Sequence, residues 1–243
     1  MEILKINNVV IGKEVKIAIP IMAATQEELL EQVKKINNSS AHIVEWRIDY
    51  FFDRNNILNT LKSIKQNTNK LILVTFRRKE EGGVSTITLK EYEHLLQSII
   101  VSNDADIVDV ELSVGNSIIN HLRFIANHSN TKLLYSAHFF SNTPTVKQMI
   151  QILMSMEELQ ADLTKLAVMP SSMEDVLKLL QVTNCWNQQA TVPFITIAMG
   201  EFGKITRYSG HLFGSSITFA SMNKTSAPGQ IEVEQLQKIL DLI

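Results

Sequence analysis

Eight short segments rich in β-branched or apolar residues recur along the 243 residues: "KIAIPI" (16–21), "IVEWRID" (43–49), "LILVTFR" (71–77), "IVDVEL" (107–112), "KLLYSAH" (132–138), "LTKLAVM" (163–169), "FITIAMG" (194–200) and "SSITFAS" (215–221). Their starts lie mostly 25 to 36 residues apart. The intervals carry apolar residues at helical spacing, as in "TQEELLEQVKKI", "LKEYEHLLQSII", "TVKQMIQILMSMEELQ" and "SMEDVLKLLQV". Thr25 stands three residues before Glu28, and Ser171 three before Glu174, each the spacing of a capping box that opens a helix. A strand followed by a helix of this length returns parallel to itself, and eight such units favour a closed (β/α)8 TIM barrel over an open sheet. With 45% apolar residues and no Pro/Gly/Ser-rich linker, residues 1–243 read as a single barrel domain. Residues 3–15 fit no βα unit. Their "LKINNVVIG" reads as a short N-terminal β-hairpin covering the barrel bottom.

Charge excludes several function classes. The formal net charge is −2 and the isoelectric point about 6.3, with no Lys/Arg run able to follow a phosphate backbone or an anionic bilayer, so neither nucleic acid nor membrane is an expected partner. Cys185 is the only cysteine, so no intrachain disulfide forms; it is expected to be an inert packing residue of a protein from a reducing compartment. The N-terminus lacks the apolar stretch and cleavage site of a signal peptide, and no apolar run approaches spanning length, so the expected location is the cytoplasm.

Against this background the strand charges stand out. Side chains alternate between faces along a strand, so "IVEWRID" puts Val44, Trp46 and Ile48 on one face and Ile43, Glu45, Arg47 and Asp49 on the other. In a barrel the apolar face meets the helices, which turns Glu45, Arg47 and Asp49 inward. The same parity turns inward Asp109 and Glu111, His138 with Ser136, Arg77 with Thr75, and Lys165 with Ala167 and Met169. Every strand charge falls on the inner face. Left unpaired, each would cost several kcal/mol of desolvation, so a cluster of them points to a purpose beyond folding.

Lys165 is the sharpest case. A lysine desolvated near arginines loses part of its preference for the protonated form, and a neutral amine adds to a ketone or aldehyde to give a Schiff base. The iminium acidifies the adjacent carbon, and His138, at the end of the preceding strand, is placed to take or return that proton. This pair is compatible with aldol, dehydratase or decarboxylase chemistry.

Seven segments, "VEWRID", "TFRRKEEGG", "DVEL", "SAHFFSNTP", "KLAVMP", "MGEFGKITRYSGHLFGSSITFAS" and "SAPGQI", together resemble in order the motifs of type I 3-dehydroquinate dehydratase. The resemblance implies a (β/α)8 fold, a homodimer, and loss of water from 3-dehydroquinate to give 3-dehydroshikimate in the shikimate route, with no metal and no cofactor. It implies that Lys165 forms the imine with the C3 ketone, that His138 removes the C2 proton and protonates the departing hydroxyl, and that Glu81 orients this histidine. It further implies that Arg207 clamps the substrate carboxylate, that Glu45, Arg47 and Arg77 make ring-hydroxyl or active-site contacts, and that Ser226 and Gln230 belong to a loop folding over substrate. Glu80 and Glu81 are adjacent, and counting four residues from Arg77 selects Glu81. The histidine motif reads "SAHFF", where many relatives have a polar residue before the histidine and an acid or amide after it. Asp109 and Glu111 are expected deeper in the site, as structural as they are chemical.

Two other readings share the barrel. A class I aldolase-like enzyme would use the same lysine on a phosphorylated or small aldehyde substrate, although Arg207 suits a carboxylate; a silent barrel that senses a small acid would not need Lys165 or His138. The remaining histidines (His42, His94, His121, His128 and His211) lack metal-ligand spacing and read as surface or packing residues. Met149, Met154 and Met156 read as core filler, and Trp186 as packing under a loop.

Overall fold

The computed structural model describes residues 2–222 and 229–243. An antiparallel hairpin, β1 (Leu4–Ile6) and β2 (Val9–Ile11), precedes an alternating series: β3 (Lys16–Ile21), α1 (Gln26–Asn37), β4 (Ile43–Arg47), α2 (Ile57–Asn67), β5 (Leu71–Thr75), α3 (Leu89–Ser102), β6 (Ile107–Glu111), α4 (Asn116–Ala126), β7 (Lys132–Phe139), α5 (Val146–Glu158), β8 (Leu163–Val168), α6 (Met173–Asn187), β9 (Phe194–Ala198), α7 (Gly200–Ser209), β10 (Ile217–Phe219) and α8 (Val233–Leu240). Strands β3 to β9 pair in sequence order, all parallel, and β10 pairs with β3. Between β9 and β10 the ring is closed by Ser216 N–H donating to the Phe194 carbonyl at 2.8 Å and by Thr196 N–H donating to Ser215 Oγ at 3.2 Å. The eight-stranded barrel is the one the segment spacing predicts.

Side-chain alternation sorts the apolar residues into two cores. Val44, Trp46, Ile72, Val74, Val108, Val110, Leu133, Tyr135 and Leu166 pack outward under the helices. Ala18, Ile43, Leu71, Leu73, Ile107, Leu134, Leu163 and Ile195 fill the interior near the strand starts, and Ile6 and Ile11 of the hairpin close that end. The hairpin turns at Asn7 and Asn8, with Asn7 at φ 51°, a conformation asparagine tolerates. Asn7 Nδ2 donates to Asp106 Oδ1 at 3.0 Å, which pins the hairpin tip to the barrel rim. Ile11 is fully buried. Ile11→Ala is expected to cost about 2–5 kcal/mol of stability by opening a cavity in the barrel floor, read from urea denaturation midpoints.

At several positions the local structure departs from the sequence pattern. Thr25 does cap α1, its side chain accepting from Glu28 N–H, but the Glu28 carboxylate accepts from Ala24 N–H rather than closing the box on Thr25. Ser171 is not a cap: α6 starts one residue later, behind Ser172, and both Ser171 N–H and its hydroxyl donate to Asp175. Full capping boxes occur instead at Thr88–Glu91 and Thr145–Gln148. Cys185 is exposed rather than packed, and so is Met154, while Met149 and Met156 are in the core. Trp186 packs from within α6 rather than under a loop. Among the described residues no helix is long and apolar enough to cross a membrane.

Candidate active site

Parity sets the face a strand residue occupies, and position along the strand sets its depth. Lys16 and Lys132 share the inner parity but stand at strand starts, where they turn to Glu14 and Asp162. The inner-face charges nearer the other end of the barrel behave differently. Glu45, Arg47, Arg77, Glu81, His138, Lys165, Arg207 and Gln230 line one cavity, with Phe219, Phe140, Ile197 and Met199 as its apolar walls. Ser226 lies outside the described residues.

Two of the inner-face charges, Asp49 and Arg77, lie past the ends of their strands. Strand β4 ends at Arg47, and Asp49 sits in a 3-10 turn (Ile48–Tyr50); strand β5 ends at Thr75, two residues before Arg77. Both remain buried, because ion pairing rather than pleat directs them. Asp49 accepts from Arg47 Nε and Nη2, both at 2.8 Å, and a bidentate pair of this kind fixes the plane of the guanidinium. Arg77 is almost wholly enclosed by acceptors: Nη2 donates to Asp109 Oδ2 at 2.6 Å, and Nη1 to Glu111 Oε1 and Ser136 Oγ, each at 3.0 Å. Glu111 also accepts from Arg78, at Nε (2.6 Å) and at the backbone N–H (2.8 Å). Asp109 and Glu111 thus anchor the floor of the site.

Above that floor, Lys165 Nζ has no hydrogen bond or ion pair among the described residues; it stands 4.2 Å over the Phe219 ring. Burial holds its pKa below the usual lysine value, reinforced by Arg77 and Arg47 and opposed by Glu45 and Asp109. The amine therefore faces the cavity with its proton loosely held. On the neighbouring strand the register sets Ser136 beside Lys165 and raises His138 two residues further toward the cavity mouth. Burial, then Arg77, Lys165 and Arg47, push the His138 pKa well below 6.5, so the imidazole is neutral at pH 7.

His138 Nδ1 lies 3.0 Å from Glu81 Oε2. Glu81 is buried in the turn after β5, whereas Glu80 points to solvent, which resolves the choice between the two. Burial first, then the nearby Glu111, raise the Glu81 pKa to about 7, against Arg77 and the Ser113 hydroxyl, which lower it. When Glu81 is ionised it accepts from Nδ1–H and leaves the Nε2 lone pair of His138 for a substrate proton. The turn has to be narrow here: a Cβ on Gly83 would stand 1.8 Å from the Arg77 carbonyl oxygen, and one on Gly82, at φ +83°, would meet the Phe140 ring. Phe140 itself stacks near His138 at 6.4 Å between centroids. The aromatic pair after the histidine in "SAHFF" leaves the Glu81 contact in place.

Arg207 projects from the last turn of α7, and its Nη1 donates to the Phe219 carbonyl at 3.3 Å. Burial lowers its pKa to about 10, so it stays cationic at neutral pH. Glu45 accepts from Thr75 Oγ1 at 2.8 Å on its Oε1. The cavity therefore combines an electrophile-seeking amine, a neutral imidazole with a carboxylate behind it, and cationic forks able to hold an anionic substrate. His42 stays outside, its Nδ1 accepting from Ile17 N–H, as a packing histidine should.

Three contributors escaped the sequence. Phe219 could have been found, since parity along "SSITFAS" sets it inward with Ile217. Arg78 sits beside Arg77 in "TFRRKEEGG" but carries no pattern that separates their roles. Ser113, on the 3-10 turn after β6 (Leu112–Val114), gives no sequence signal.

Comparison with known proteins is consistent along the whole chain. The family model for type I 3-dehydroquinase matches residues 17–243. The 3-dehydroquinate dehydratase of Clostridium kluyveri is 38% identical over 250 residues, covering 99% of this chain and 97% of that protein. The 3-dehydroquinate dehydratase of Bacillus subtilis is 36% identical over 249 residues, covering 100% and 98%. Among solved structures, the type I 3-dehydroquinate dehydratase of Clostridium difficile, with covalently modified comenic acid, superposes with a TM-score of 0.96 at 34% identity, covering 99% of this chain and 97% of that one. The Geobacillus kaustophilus 3-dehydroquinate dehydratase gives the same score and identity over 99% and 96%.

Proposed function

The chain belongs to the type I 3-dehydroquinase family, and from that premise we infer how its own residues divide the reaction. The enzyme is a hydro-lyase that dehydrates 3-dehydroquinate in the shikimate pathway. Membership sets aside the aldolase-like and silent-barrel readings.

Lys165 adds to the C3 ketone and, with loss of water, forms the imine. The observation that carries this role is the buried amine facing the cavity without an ion-pair partner among the described residues. Protonation of the imine nitrogen withdraws electrons from C2, and His138 Nε2 removes the C2 proton. The same imidazole, now cationic beside Glu81, returns a proton to the departing hydroxyl, after which water releases the product and restores the amine. Arg207 takes the carboxylate, while Glu45, Arg47, Arg77 and Gln230 meet the ring hydroxyls from the surrounding wall. Ser226 completes the proposed substrate contacts. Holding amine, base and carboxylate clamp at fixed separations removes much of the entropic cost of bringing them together.

The direct test is conversion of 3-dehydroquinate, followed by absorbance of the conjugated product. No conversion by folded protein would refute the reading. Because the Glu81–His138 pair has to be an ionised acid beside a neutral imidazole, and Glu81 titrates at about 7, kcat should rise with pH through neutrality. His138→Ala is expected to slow turnover by about 10²–10⁴-fold and to let the imine accumulate, measured by quenched-flow mass analysis. A normal rate with no imine build-up would assign proton transfer to another group.

The same reading includes one barrel domain acting as a cytoplasmic homodimer without metal or cofactor, supported by the motif resemblance and by a lone cysteine that suits a reducing compartment. Analytical ultracentrifugation returning a monomer mass would contradict the dimer.

A further inference from the structure

Behind His138 lies a second line of polar groups. Arg78 Nη2 donates to Ser113 Oγ at 2.6 Å. Since that oxygen already accepts, its own hydrogen is directed to Glu81 Oε1, the carboxylate oxygen not used by His138. Arg78 is held in turn by Glu111, which receives its Nε and its backbone N–H, and its guanidinium lies over the Tyr92 ring at 5.9 Å. Arg78 and Ser113 thus donate in turn toward Glu81, which accepts from His138 on its other oxygen, so the four form one hydrogen-bonded chain between an ion pair and the base.

We propose that Ser113 is a positioning residue for proton transfer, acting through Glu81 on His138, with Arg78 fixing the direction of its hydroxyl. The proposal rests on the dehydratase reading and adds to it a residue that touches neither substrate nor base.

A hydroxyl donating to a carboxylate favours the ionised acid. The other groups facing Glu81 are Arg77, whose Nη1 is 3.7 Å away, Asp109 and Glu111 from β6, and His138 from β7. Arg77 favours ionisation, and the two carboxylates oppose it. Ser113 thus supplies a fixed donor in a setting where acid and carboxylate are nearly balanced. Without it Glu81 holds its proton to higher pH, and His138 Nδ1–H faces a weaker, neutral acceptor around neutrality.

The test compares kcat against pH for wild type, Ser113→Ala and Ser113→Thr, with 3-dehydroquinate as substrate. Ser113 is an exposed residue, so truncating it spares the core. For Ser113→Ala the acidic limb is expected to move upward by about one pH unit, with kcat on that limb about ten-fold lower, convergence with wild type at alkaline pH, and KM unchanged. Ser113→Thr keeps the hydroxyl and should restore the wild-type limb. Superimposable profiles, a uniform fall at every pH, a change confined to KM, or failure of threonine to rescue would each overturn the positioning role. An inactive wild-type protein would overturn the dehydratase reading and this role with it, whereas an active wild type insensitive to Ser113→Ala overturns this role alone.

Discussion

Lys165→Ala is expected to lower turnover of 3-dehydroquinate by on the order of 10⁴-fold or more while leaving the fold intact. The alanine removes the only step that makes the ketone an electron sink, and His138 alone cannot acidify C2 to a comparable degree. Stability should not suffer. The lysine's folded pKa is lowered by burial, so below its ordinary titration range the native state is penalised for carrying the ammonium, and the substitution removes that penalty. The checks are the product absorbance assay and a thermal melt at pH 7. Turnover near the wild-type rate would contradict covalent catalysis, and a collapsed melt would make Lys165 a structural residue.

Arg77→Met should have the largest effect on stability. Arg77 donates to Asp109, Glu111 and Ser136 in the barrel floor, and both acids are fully buried. In the variant Glu111 keeps Arg78, but among the described residues the Ser136 hydroxyl at 2.6 Å is the one side-chain hydrogen-bond donor Asp109 keeps. Stranding a buried carboxylate in this way costs about 3–5 kcal/mol. Urea denaturation at pH 7 measures it; a loss under about 1 kcal/mol would mean that Arg77 is not the counter-charge it resembles.

How much of this was legible beforehand depended on which rule governed each residue. Alternation along the strands is a steric property of extended backbone, so the inward placement of Glu45, Arg47, Asp109, Glu111, His138 and Lys165 could be read directly. The hairpin closing the barrel floor was legible for a similar reason, as two apolar runs about a pair of asparagines. For Asp49 and Arg77 parity named the right side although both lie past the strand ends, but it gave neither their path nor their partners. Asp49 and Arg77 reach the site through turns and ion pairs, and no periodicity specifies such a path. Depth was also hidden: Lys16 shares the parity of Ala18 but sits at the far end with Glu14. The Ser113 hydroxyl depends on the meeting of two loops, about which local sequence is silent. The capping error at Ser171 arose because Asp175, rather than Glu174, captured the serine.

The strongest single test of imine chemistry is borohydride reduction of the wild-type protein in the presence of 3-dehydroquinate, followed by peptide mass spectrometry. A reduced adduct on the peptide carrying Lys165, absent without substrate, is the expected result, because the buried amine is the nucleophile. Turnover without any trapped adduct, or an adduct on a different lysine, would contradict the role assigned to Lys165.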